Sequence, residues 1–133
     1  MPVKPEEFYL ASQNLNRMKP PLVSDEVCGR TMLNRMYYAA YLATREALRR
    51  HLGNPGFDVA HKALSATLAK AADPAVRDLG TRLGVLRLAR EEADYQPDAE
   101  ITKWRAALYL PDARYVIDNA GRLAGRFPQI RAR

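Results

Sequence analysis

Arg90 is the residue whose chemistry is hardest to explain as packing. Val76, Leu79, Leu83 and Leu86 recur at steps of three and four and mark one apolar face of a helix. The next position on that face is Arg90, followed by Ala93. A guanidinium therefore stands where the pattern asks for leucine. Buried without a partner it would cost several kcal/mol. It must meet a nearby acid or tyrosine, a neighbouring subunit or a ligand. The first of these makes it an internal ion pair, the others a functional arginine at a cleft or dimer seam. The second reactive candidate is His61, in the first turn of its own helix, where an imidazole serves as a hydrogen-bonding residue, a general base or a grip for phosphate. The other histidine, His51, falls in the last turn of a helix, where a cation suits the dipole, and reads as a surface residue.

Other chemistries find no support. The chain has no Gly-rich phosphate loop, no His-Glu-x-x-His and no paired-cysteine metal motif, so no cofactor or metal is expected. Its one cysteine, Cys28, lies among apolar helix positions and reads as a buried, inert thiol. A single cysteine excludes an internal disulfide framework and fits a reducing, cytoplasmic setting. No apolar run approaches a membrane span, and Met1-Pro2-Val3-Lys4-Pro5-Glu6-Glu7 does not suit a signal peptide. The formal net charge of +6 raises the prospect of an anionic partner, nucleic acid first. The densest surplus lies between Arg122 and Arg133.

The elements that position these residues are all helical. At 133 residues, 47% of them hydrophobic and 27% charged, the chain is expected to form one domain over 1–133 with its own core. Pro5-Glu6-Glu7 opens a first helix with Phe8, Ala11, Leu15 and Met18 on one face, and Lys19-Pro20-Pro21 stops it. Ser24 caps a second helix that runs to about Leu52 and closes at Gly53. Its middle, Met36-Tyr37-Tyr38-Ala39-Ala40-Tyr41-Leu42-Ala43, has no polar stripe, so it must be surrounded by other helices or by those and a second subunit. Tyr38, Tyr41 and Arg45 are spaced to share one edge of it. Asp58 is expected to cap a third helix through about Ala72. Asp73-Pro74 starts a fourth that reaches about Asp94. A last helix spans about Ala99 to Gly125, with Trp104, Leu108, Val116, Ala120, Leu123 and Phe127 inward and a kink or short break at Pro111. No strand is foreseen. The prediction is an all-α bundle of about five helices.

Two segments of this pattern resemble a known family. Arg30-Thr31-Met32-Leu33-Asn34-Arg35-Met36-Tyr37-Tyr38-Ala39-Ala40-Tyr41 resembles the R-x-Y-Y-A-A-[FY] helix of HEPN domains, and Leu86-Arg87-Leu88-Ala89-Arg90-Glu91-Glu92-Ala93-Asp94-Tyr95 resembles their L-x-x-x-R-x-x-A-D-Y segment. His61, leading into Ala63-Leu64, also falls where a histidine is often found in them. The resemblance implies an antiparallel helical bundle that dimerises. It implies membership of toxin–antitoxin or defence systems, either as a metal-independent endoribonuclease or as the non-catalytic partner of a minimal nucleotidyltransferase. In the nucleases an R-x(4–6)-H motif from each of two subunits builds a composite site, in which arginine holds the phosphate and histidine moves the proton. Arg90 matches that arginine. The positions of the histidine are held by Tyr95, Gln96 and Pro97, and Glu91 stands where a polar neutral residue is common. The expectation is a homodimer with RNA as its target and a site made of Arg90, His61 and Tyr95.

Overall fold

The computed structural model describes residues 4–17 and 24–133. Met18 and the stop at Lys19-Pro20-Pro21 lie outside them. Six helices follow in order among the described residues: α1 (Pro5–Arg17), α2 (Asp25–Leu52), α3 (His61–Ala69), α4 (Pro74–Tyr95), α5 (Lys103–Ala107) and α6 (Leu110–Leu123), with a 3-10 turn at Ala124–Arg126. No strand occurs among these residues. The architecture is a helical bundle organised on α2, which packs against α1, α4, α5 and α6, while α3 rests on α4.

Local chemistry sets the helix ends. The Ser24 hydroxyl accepts from the Val27 amide at 3.1 Å. Gly53 takes the left-handed conformation (φ 64°), and its amide returns to the Arg49 and Arg50 carbonyls. Asp73 accepts from the Ala75 and Val76 amides, with Pro74 in the first turn. Within the middle of α2, Met36, Tyr37, Ala39, Ala40 and Tyr41 are buried by this one chain, while Tyr38, Leu42 and Ala43 stay partly exposed. A second subunit is not needed to cover the first five. Cys28 is buried too. Two glycines mark backbone contact between elements. A Cβ on Gly29 would stand 2.3 Å from the Ile101 carbonyl oxygen, and one on Gly80 the same distance from the Ala69 nitrogen. The α3–α4 pair can therefore close only over glycine.

Two expectations change at α3. Asp58 does not cap α3; the cap position is Ala60, with no side-chain bond, because Val59 turns fully inward between them. Helix α3 ends at Ala69, not Ala72: Lys70 leaves the helical conformation where the backbone of Leu68 and Ala69 passes directly against Gly80 of α4. The short break foreseen at Pro111 is present and divides the last helix into α5 and α6. Thr102 caps α5 (Oγ1 accepts from the Arg105 amide at 3.1 Å), and Pro111 sits in the first turn of α6, where its missing N–H costs nothing. With the break, α5 no longer shares the phase of α6. Trp104 and Leu108 consequently face solvent, 74% and 57% exposed, while Val116, Ala120 and Leu123 are buried as the spacing predicts.

Candidate functional site

Arg90 occupies the apolar face of α4 as its spacing foretells, between buried Leu86 and Ala93. Its side chain is 16% exposed. One arm donates to Asp94 Oδ2 at 3.2 Å, one turn on. The guanidinium carbon lies 5.1 Å from the centre of the Tyr37 ring on α2, within cation–π range. Its Nε is buried with no hydrogen-bond partner. A guanidinium carries five N–H donors, so this one is only partly used.

The same tyrosine holds His61. The Tyr37 hydroxyl shares a 2.6 Å hydrogen bond with His61 Nδ1. Tyr41, one turn along α2, lies nearly parallel to the imidazole, with ring centres 3.9 Å apart, and its hydroxyl donates to the Val59 carbonyl at 2.7 Å. The short 59–61 connection therefore pins the start of α3 onto the tyrosine face of α2. That face exists because Tyr37, Tyr41 and Arg45 recur every four residues. Arg45 completes the row, 5.6 Å from the Tyr41 ring centre, and like Arg90 it has a buried, unpartnered Nε.

Electrostatics follow from this crowding. Burial, helped by the charges of Arg90 and Arg133, pushes the His61 imidazole below its ordinary value, so it is neutral near pH 7. Burial also raises the Tyr37 phenol well above its usual range, and it stays protonated. Asp58 is drawn below the usual carboxylate range, first by the hydrogen bond from Arg133. Arg133 donates through Nε and Nη2 to Asp58 Oδ2, while Arg45 Nη1 lies 3.7 Å from Oδ1.

Of the three residues expected to form the site, Arg90 and His61 are brought together on Tyr37. Tyr95 stands apart. It is the last residue of α4, 72% exposed, and hydrogen-bonded to neither of them. Glu91 is taken up by Arg87, whose Nη1 donates to it at 2.7 Å. The carboxylate closest to Arg90 is therefore Asp94. The shared edge foreseen for Tyr38, Tyr41 and Arg45 is formed by Tyr41 and Arg45, with Tyr38 edge-on to the imidazole. Tyr37 as the link between arginine and histidine escaped the sequence, although its four-residue spacing to Tyr41 was visible. His51 is exposed at the end of α2. No group of three or more metal-ligating side chains occurs among the described residues. No described helix is long and apolar enough to cross a membrane. No family model, no curated protein and no solved structure matches the chain.

Proposed function

We propose that the chain is a HEPN-like helical protein of a toxin–antitoxin or defence type that binds RNA, and cleaves it, at a site containing Arg90 and His61. The observation that carries this reading is their meeting on one tyrosine: His61 bonded to the Tyr37 hydroxyl and Arg90 over its ring, with guanidinium capacity to spare. The histidine missing from the stretch after Arg90 is thus supplied from α3. A phosphodiester oxygen placed on Arg90 would have its charge complemented, more strongly as negative charge develops in the transition state. His61, kept neutral, is in the state a base requires. It must then carry its hydrogen on Nδ1, shared with the Tyr37 oxygen, so that Nε2 is free to accept. The ribose 2′-hydroxyl gives its proton to Nε2, and its oxygen forms a bond to the adjacent phosphorus. The bond from phosphorus to the 5′-oxygen breaks, and the leaving oxygen takes a proton from water.

A second copy is part of the proposal, as a homodimer sharing this site. Val85, Leu88 and Tyr95 form an exposed apolar stripe on α4, but Arg90 lies on a different face of that helix. A partner that shares the Arg90 site must therefore approach over the start of α3 and the Arg90 side of α4. The test is RNA cleavage by purified protein, compared with Arg90→Ala and His61→Ala variants that keep their helix content. Loss of cleavage in both is expected. Cleavage at the parent rate by either folded variant refutes the assignment.

One observation favours a second reading. The Arg90–Asp94 pair gives the arginine an internal partner, which suits a non-catalytic HEPN partner of a nucleotidyltransferase with Arg90 structural. In that case the protein leaves RNA intact, and Arg90→Ala lowers stability instead.

A further inference from the structure

Beyond Arg45 the tyrosine row of α2 runs into a groove of about 990 Å3 between the start of α1, the second half of α2 and α6. Its floor is apolar, made by Phe8, Leu42, Ala43 and Ile117. Its rim is charged, and the acids there are already engaged. Glu6 and Asp118 are both held by Arg114, and Glu46 accepts from Arg49 at 3.1 Å. The cations are less tightly committed: Arg50 is exposed with no ion pair among the described residues, and Arg45 is held only loosely, 3.9 Å from Glu46 and 3.7 Å from Asp58. An apolar seat of this size with a few cationic groups at its mouth fits a planar, apolar body bearing a negative charge. Arg45 belongs both to this groove and to the surroundings of His61, so one strand can occupy both places.

We propose that the groove seats an unpaired nucleotide of the RNA whose backbone passes Arg90 and His61, with Arg45 as the phosphate contact joining the two. The inference rests on the RNA reading above and adds where the strand goes. A base lies on the apolar floor without being read by hydrogen bonds, so the seat tolerates sequence and rejects duplex, whose bases are stacked away. Arg45 and Arg50 hold the flanking phosphates, a sequence-independent attraction that weakens with salt.

The probe is a short single-stranded RNA with 2′-O-methyl riboses, which cannot be cleaved, followed by fluorescence anisotropy across a salt series. Gly121 lines the groove from α6, and a Cβ there meets nothing within 4 Å. Gly121→Phe therefore fills the seat from a helical position that accepts a side chain. Its affinity is expected to fall about tenfold or more, the scale of one lost base seat. Arg45→Ala should weaken binding and flatten the plot of log affinity against log salt by about 0.7, as for one lost phosphate contact, with Arg45→Lys restoring the slope. Unlabelled duplex RNA should compete poorly. If the parent protein does not bind the probe, the RNA reading and this inference fall together. If Arg90→Ala loses binding while folded Gly121→Phe binds like the parent, the RNA reading stands and the groove is overturned.

Discussion

Arg30 and Arg90 stand near the same end of α4 with similar exposure, 20% and 16%, yet they are used differently. Arg30 reaches from α2 and spends its donors on the carbonyls of Ala93, Gln96, Pro97 and Ala99, and on Glu26. Glu26 in turn accepts from the Ile101 amide at 3.2 Å. One side chain thus closes the end of α4 and the whole turn toward α5, meeting carbonyls that a helix end leaves without partners. Arg90 makes one bond to a carboxylate, rests on a ring and leaves a buried nitrogen unsatisfied. A buried cation that serves only the fold is saturated by it. One with donors to spare has capacity for something the fold does not contain.

The largest effect expected from this contrast is in stability. Arg30→Ala should cost about 3 kcal/mol in urea unfolding, because several carbonyls lose their donor at once. Arg30→Lys should recover little, since an ammonium cannot fork to four carbonyls. A loss below about 0.5 kcal/mol would mean that Arg30 does not hold the end of α4. Arg90→Ala should show the opposite profile. Its stability cost is expected at about 1 kcal/mol, because the Asp94 bond and the Tyr37 ring contact are lost while a buried unsatisfied nitrogen is removed with them. RNA cleavage should fall by about a hundredfold or more, the usual scale for removing a group that stabilises developing charge.

Tyr37→Phe sharpens the comparison without touching either arginine. The ring under Arg90 remains, while His61 Nδ1 loses its partner, at about 1 kcal/mol in unfolding experiments. Cleavage should fall and its pH profile should move, a change that simple destabilisation would not produce. The smallest effect is a pH dependence of stability. Inside the fold, His61 faces Tyr37, Tyr41 and Arg45 from α2, Arg90 from α4, Asp58 from the preceding loop and Arg133 from the C-terminal segment. Its value there is depressed, so the unfolded chain binds its proton more readily. Stability should be fully present above about pH 6.5, the ordinary imidazole value, and decline as pH falls through the lowered folded value. Denaturant midpoints at stepwise pH, with His61→Gln as the reference that flattens this part of the curve, check the sign.

The parts legible in the sequence were those fixed by periodicity and caps. Ser24, Gly53 and Asp73-Pro74 set helix ends by bonds to backbone a few residues away, and Arg90 could be flagged because its neighbours on α4 are leucines. Arg30's function was not readable, because its acceptors lie more than sixty residues along the chain and are carbonyls, which any residue could supply. The end of α3 was overrun for a related reason: Gly80, in the next helix, dictates where its backbone passes. The Arg90–His61 approach likewise needed the tyrosine face of α2 to be folded against α3. Phase across Pro111 misled in the opposite way, since a helical step counted through a break puts Trp104 and Leu108 on a face they do not share with α6.

That last displacement has an optical consequence. Trp104 is the only tryptophan and is solvated in the folded protein. Its emission should already be that of an indole in water, so unfolding is expected to change its wavelength little. Helix loss by circular dichroism is the signal to follow for folding. A blue shift of Trp104 would instead report something settling onto α5, and the protein carries that built-in reporter at no cost to its core.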